Sequence, residues 1–162
     1  MEGAWTRRAA ADGVVRVWLP PGATLEEDNG YASWSPDPGL GRFSVTSAEG
    51  GGDGDELLAA ERDAGAEVEV EEDVRLERGG LAVRRLRYRS RRTTPREVID
   101  RGAAGRMHGG EEDVETLADF VLIEAGGRLI RAGYVVEAHA APEVTASLQA
   151  VSDRLEIGDE GR

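Results

Sequence analysis

The sequence predicts an α+β fold: a mostly antiparallel, twisted β-sheet of about six to seven strands with two main helices packed on it. Three observations predict it. Segments of alternating apolar and polar residues recur along the chain, and two of them fold back on Gly-Gly pairs, Gly79-Gly80 and Gly126-Gly127. Sustained helical patterning is confined to Asp55–Ala64 and to the segment that follows Pro142. The order is strand, strand, strand, helix, hairpin, short helix and loop, hairpin, helix, and such hairpins with long helices pack as an α+β sandwich.

Each element has a local reason. In "GVVRVWLPPG" Val15, Val17 and Leu19 alternate with Arg16 and Trp18, and Pro20-Pro21-Gly22 ends the strand. "YASWS" and "GRFSVTSA" are the second and third strands, joined through the turn "SPDPGLG". The helix over 55–64 has Leu57, Leu58 and Ala64 for a core and Glu61, Arg62 and Asp63 for water. Asp53 is its expected N-cap, Glu56 completes a capping box, and Gly65 is its C′ residue.

"AEVEVEEDVRLERGGLAVRRLRYRSRR" reads as a hairpin about Gly79-Gly80. Its first arm sets Val68, Val70, Val74 and Leu76 on one face. Its second arm breaks parity, with Leu81 and Val83 out of phase with Leu86 and Tyr88. A β-bulge near Arg84-Arg85 would restore a single apolar face and set Arg87, Arg89 and Arg91 opposite Asp73, Glu71 and Glu69. Thr94, Pro95 and Glu97 are the N-cap, N1 and N3 of a short helix. The glycine-rich stretch after it is expected to be a mobile loop over 101–115. "ETLADFVLIEAGGRLIRAGYVVEA" is a hairpin about Gly126-Gly127, with Ile123 opposite Ile130, Val121 opposite Ala132, Leu117 opposite Val136 and Phe120 over Gly133. Both of its faces are apolar, so its strands are expected to be central and covered on both sides. The last helix begins with Pro142 at N1 and carries the stripe Val144, Leu148, Val151, Leu155.

The 162 residues suffice for a single domain with a core. Residues 1–12 and 158–162 are expected to fray. A net charge of −12 disfavours nucleic acid and anionic lipid as partners. There is no cysteine, which excludes disulfides, thiolate catalysis and cysteine metal sites. All 20 basic residues are arginine, which excludes the P-loop lysine and Schiff-base chemistry, and with abundant Ala and Gly points to a GC-rich bacterial genome. No apolar run approaches the roughly 20 residues of a membrane span, and the start lacks the apolar core of a signal peptide, so a cytoplasmic location is expected.

The element order resembles the PsbP/DcrB-like α/β/α sandwich superfamily. The segments that carry the resemblance are "VVRVWLPPG", "GRFSVTSA", "DELLAAERDAG", "LAVRRLRYRS", "ADFVLIEAGGRLIRAGYVV" and "APEVTASLQAVSDRL". That superfamily includes extrinsic photosystem II subunits, a Ran-binding protein, bacterial lipoproteins and adaptor chaperones of type VI secretion. The resemblance implies a binding or accessory role and transfers no catalytic residue.

Several stretches invite a site. In "SAEGGGDGDELLAAERDAG", Asp53 and Asp55 alternate as calcium ligands would, but Leu57 stands where the third ligand is needed. Its glycines suggest a phosphate cradle, but Gly50-x-Gly52-x-x lands on Asp55, and two aspartates repel phosphate. The stretch reads as a supple link and a helix start. "MHGGEED" offers His108, Glu111 and Asp113 as metal ligands, with His139 elsewhere, against a solvated acidic loop. No G-x-S-x-G elbow is present, and no spacing favours a catalytic triad. Arg85, Arg87 and Arg89 form a stripe that could bind an acidic partner or pair with the neighbouring carboxylates. Trp18, Tyr31 and Trp34 suit either a protein contact or burial under a helix.

The leading expectation is a non-enzymatic binding or accessory protein without a cofactor, engaging another protein in an adaptor, chaperone or immunity-like role. Its expected binding residues are Trp18, Trp34, Arg85, Arg87 and Arg89. One alternative is a small-molecule or metal-dependent enzyme that uses the 101–113 loop. The other is a structural homodimer subunit.

Overall fold

In the computed structural model, residues 3–28, 31–37, 39–49, 54–100 and 106–158 are described, with side chains for all of these except 94–100 and 106–112. The elements are β1 (Thr6–Ala10), β2 (Val15–Leu19), β3 (Glu26–Asp28), β4 (Tyr31–Asp37), β5 (Gly41–Glu49), α1 (Asp55–Asp63), β6 (Glu67–Arg78), β7 (Leu81–Asp100), β8 (Arg106–Ala125), β9 (Arg128–Glu137), α2 (Pro142–Asp153) and β10 (Glu156–Ile157). Seven strands make one antiparallel sheet in the order β3-β4-β5-β9-β8-β7-β6. A second sheet, β1-β2-β10, was not expected: β1 occupies a stretch expected to fray, and it pairs with β2 from Thr6↔Leu19 to Ala10↔Val15. No helix among the described residues is long and apolar enough to cross a membrane.

The large sheet is covered on both faces. One face packs against the small sheet and α2, whose Val144, Leu148 and Val151 are buried with Val15, Val17 and Leu19 of β2 and Phe43, Ile123 and Ile130 of the large sheet. The other packs against α1, where Leu58 joins Leu86, Tyr88, Phe120 and Leu122. The β8–β9 register is the expected one, including Ile123↔Ile130, Val121↔Ala132, Leu117↔Val136 and Phe120↔Gly133. Gly133 is required there by close approach: a Cβ on it would stand 2.0 Å from the Asp119 carbonyl oxygen.

The parity break in β7 has a different cause from the expected bulge. β7 pairs with β8 without a register shift, so its two-residue period alternates between the two cores. Val83 belongs to the α2 side, and Leu86 and Tyr88 belong to the α1 side. The irregularity lies in the opposite strand, between Val70 and Glu72 of β6. The extra residue there, Glu71, flips the face of everything beyond it. Val68 packs into the α1-side core, while Val74 and Leu76 sit opposite Arg85 and Val83 on the other face. Val70, Val74 and Leu76 stay exposed because β6 is a sheet edge.

Helix α1 begins at Asp55 with Gly54, not Asp53, at the N-cap and no side-chain cap. Gly54 sits at φ 93° with its Cα hydrogen toward Leu122, a position where a Cβ would meet Leu122 Cδ1 at 2.1 Å. Asp53 and Gly50–Gly52 lie outside the described residues. The helix ends as expected, with Gly65 at φ 89°, its N–H on Arg62 O and the Ala66 N–H on Glu61 O. Ala64, expected in the core, is exposed, and Glu61 turns inward to accept from Ser90 Oγ at 2.7 Å. The short helix expected from Thr94 is the continuation of β7, and the backbone of Arg106–Asp113, expected in a loop, opens β8. Beyond Arg91 and Thr116, where pairing with β6 and β9 stops, β7 and β8 pair only with each other, down to Asp100↔Arg106.

Candidate functional site

The alternation of β2 builds a surface as well as a core. Val15, Val17 and Leu19 point inward and are fully buried. Arg16 and Trp18 therefore point to the opposite face, where Arg16 is itself buried and Trp18 half-buried, and the register places Arg7 beside Trp18 and Glu156 beside Arg16 on that same face. Glu156 reaches it because the chain leaves α2 at Arg154, buries Leu155 as an anchor and enters β10.

Glu156 is the hub of this face. Trp18 Nε1 donates to Glu156 Oε2. Arg7 Nε lies 3.4 Å from Oε2, and Arg16 Nε lies 3.9 Å from Oε1. The Arg16 guanidinium is held from behind by donating Nη1 to the carbonyls of Gly13 at 3.0 Å and Gly158 at 2.6 Å. The Arg154 guanidinium lies 4.0 Å over the Trp5 ring, a cation–π contact of about 0.5–1 kcal/mol at an exposed site. Trp5, Trp18, Arg154 and Glu156 line a shallow hollow of about 360 Å³. Two arginines approach one carboxylate here and a third, Arg154, lines the same hollow, on a chain whose net charge is −12.

Trp18 was expected as a contact residue. Trp5 and Arg154 were missed. The available signal was that Trp5 directly precedes a polar five-residue segment next to the "VRVWL" strand, a hairpin pattern hidden by its short arginine-rich arm. Trp34 is half-buried in β4 opposite Phe43 and packs against the main core, beside a separate groove of about 250 Å³ with Ala23 and Arg42. Tyr31, on the same strand, is exposed.

Arg85, Arg87 and Arg89 form one face of β7, and each is tied to carboxylates. Arg89 Nη1 meets Glu115 Oε1 at 2.8 Å, with Glu71 at 3.8 Å. Arg85 Nε approaches Glu72 at 3.8 Å. Asp119, 1% exposed, lies beneath Arg85 and Arg87 at 3.5 and 3.8 Å. Burial pushes its carboxyl above the ordinary value of 3.8, and the two arginines pull it partly back. Asp119 Oδ1 has no hydrogen-bond partner. Its register partner Tyr134 is buried, which raises the phenol, and its hydroxyl donates to Gln149 Oε1 of α2. The bulge at Glu71 alters the expected pairs: Arg87 stands opposite Glu72, Arg89 opposite Glu69 and Arg91 opposite Glu67. Asp73 is thereby turned to the other face, where it meets Arg84.

His108 and Glu111 lie on β8 opposite Val98 and Pro95, and their side chains are outside the described residues. Asp113 accepts from Thr93 Oγ1 at 2.8 Å. His139 is exposed, 3.0 Å from Glu137. Among the described residues, no three His, Asp or Glu side chains converge on a metal-sized site. A cavity of about 450 Å³ opens between the β1–β2 turn, β3 and β5. Its lining includes Asp12, which meets Arg128 at 2.6 Å, and Ser47, whose hydroxyl has no partner. Ala11 and Asp12 in that turn hold φ of 51° and 56°, a left-handed conformation costly for Ala.

No protein-family model and no curated protein sequence matches the chain. Solved structures do. The Ran-binding protein Mog1p of Saccharomyces cerevisiae superposes with a TM-score of 0.53 at 11% identity, covering 96% of each chain. The cyanobacterial PsbP protein CyanoP of Synechocystis superposes with a TM-score of 0.50 at 15% identity, covering 95% of this chain and 92% of that one. The chain has a PsbP/Mog1-like α+β sandwich fold.

Proposed function

We propose that this chain is a non-enzymatic accessory protein of the bacterial cytoplasm that engages another protein, in an adaptor, chaperone or immunity-like role, through the outer face of its small sheet. The observation that carries the reading is the Trp5–Trp18–Arg154 cluster: two of the chain's three tryptophans line one hollow together with an exposed arginine. Trp and Arg are the side chains most enriched at energetic centres of protein interfaces, because they bury large area at small conformational cost. The Arg85–Arg87–Arg89 stripe is the poorer docking surface, since Glu72, Glu115 and Asp119 already occupy it. A Ran-binding protein on the same fold is consistent with a binding role, on fold grounds alone.

The test is affinity capture from native lysate with the wild-type chain and with a Trp5→Ala/Trp18→Ala variant whose melting temperature is matched. The expected result is a stoichiometric protein retained by the wild type and lost with the variant. Equal retention by both removes this face from the reading.

The 450 Å³ cavity favours a second reading, a small-molecule binder, since it holds an unpartnered Ser47 hydroxyl. A small-molecule library that raises the wild-type melting temperature, but not that of Ser47→Leu, would favour it.

A further inference from the structure

We infer that β1 is a strand-addition edge for an extended, acidic segment of the partner protein, whose apolar side chain seats between Trp5 and Trp18. The inference rests on the reading that the outer face of the small sheet docks a protein.

Strand order gives the first observation. The small sheet runs β1-β2-β10, and among the described residues no strand pairs with the outer edge of β1. Its Thr6, Arg7, Arg8 and Ala9 are all exposed. A free edge offers a row of backbone N–H and C=O groups that an incoming extended segment satisfies as a new ladder.

Charge gives the second. Arg7 and Arg8 lie on the edge strand itself, and Arg154 stands beside it over Trp5. Arg16 and Arg7 already share Glu156. Arg8 has no ion pair among the described residues. On a chain of net charge −12 this cationic edge attracts carboxylates locally, and it rejects basic segments and neutral sticky edges. The long acidic edge strand β6 belongs to the other sheet and presents the opposite sign.

Side-chain alternation gives the third. In an added strand every second side chain shares a face. A carboxylate opposite Arg7 therefore has its apolar neighbour two residues away, level with Trp5 and the hollow of about 360 Å³. Residues of the intervening parity face Arg8. The recognised segment is thus an acidic strand with an apolar or aromatic residue two positions from an acid on the same face.

The probe is the acetylated, amidated peptide Ser-Glu-Asp-Phe-Glu-Asp-Ser-Gly, titrated into the full chain and followed by tryptophan fluorescence and by amide hydrogen exchange. The expected result is a saturable fluorescence change, with slowed exchange confined to β1 and its flank. Arg8→Glu, at an exposed position without an ion pair among the described residues, should weaken binding about tenfold. The same peptide with arginine in place of each acid should not bind. Binding of the arginine peptide equal to that of the acidic one overturns the charge assignment. Binding without slowed exchange at β1, or no binding of the acidic peptide, overturns strand addition. If capture of a protein still depends on Trp5 and Trp18 in those cases, the docking reading stands and this inference alone falls. If capture is equally insensitive to them, both fall.

Discussion

Arg84 and Asp73 meet in a two-pronged ion pair, with Nε on Oδ1 and Nη2 on Oδ2, both at 2.8 Å. The Arg84 side chain is 7% exposed, and its Nη1 also donates to Asp55 Oδ1 at 2.8 Å, at the first residue of α1. One guanidinium thereby fastens the start of α1 to β6 and β7. Asp73, followed by Asp55, holds the Arg84 proton more tightly than usual, against the cost of burial. Asp73→Asn removes the charge opposite a buried cation and is expected to destabilise by about 1–2 kcal/mol, since Asp73 itself is partly solvated. Asp55→Asn should cost less, because Asp55 is mostly exposed. Urea denaturation of both variants checks the order; equal losses would make the two carboxylates equivalent anchors, and a reversed order would make Asp55 the principal one.

Asp119 gives a prediction with a sign. Its folded carboxyl titrates above the ordinary 3.8 because burial dominates over Arg85 and Arg87. The folded state therefore binds more protons than the unfolded state, and the Asp119 contribution to stability falls as pH rises from about 3.8 through the folded value. Asp119→Asn removes this ionisation. The variant is expected to be at least as stable as the wild type at neutral pH, with the difference closing below the ordinary carboxylate value. Chemical denaturation at a series of pH values measures it. A variant clearly less stable at neutral pH would show that the Arg85 and Arg87 attractions outweigh desolvation.

Gly133→Ala places a methyl group 2.0 Å from the Asp119 carbonyl oxygen and 2.8 Å from the Phe120 Cα, both backbone atoms that cannot swing aside. Strands β8 and β9 must separate locally, in the middle of the sheet. A loss of more than about 3 kcal/mol or failure to fold is expected, in the range of overpacked core sites. Normal thermal stability of this variant would mean that the two strands lie further apart here.

Trp18→Phe keeps one aromatic ring and removes the pyrrole part of the indole with the N–H that reaches Glu156. The predicted stability loss is about 0.5–1.5 kcal/mol. Trp5→Ala loses the Arg154 stack and the packing of a partly buried ring against the main core, and should cost about 1–3 kcal/mol. Thermal melts decide whether these variants are sound reagents for partner capture; a collapse of either would make its tryptophan a core residue and remove it from the docking face.

The legible parts of this fold are those whose causes lie within a few residues of each other. The Gly126-Gly127 turn and the apolar runs around it set the β8–β9 register residue for residue. Gly65 ended α1, and Pro142 began α2. Period and turn chemistry are local quantities, so they survive reading one residue at a time.

What the sequence determined by itself was the fold class, its two helices, the two long hairpins and the apolar character of both sheet faces. Tertiary structure alone decided three things. The bulge settled at Glu71 in β6 and not at Arg84-Arg85, because regular β7–β8 pairing keeps Arg84 on the face where Asp73 and Asp55 neutralise it. The segment after Arg91 became strand and not helix, because an antiparallel neighbour supplies the hydrogen bonds that its capping signals could only begin to arrange. Trp5 and Trp18 came to line one hollow because β1, β2 and β10, the last of them more than 130 residues beyond β2 in the chain, close a small sheet over the main core. Pairings over such separations depend on which surfaces are left to cover once the local elements exist, and no local pattern encodes that.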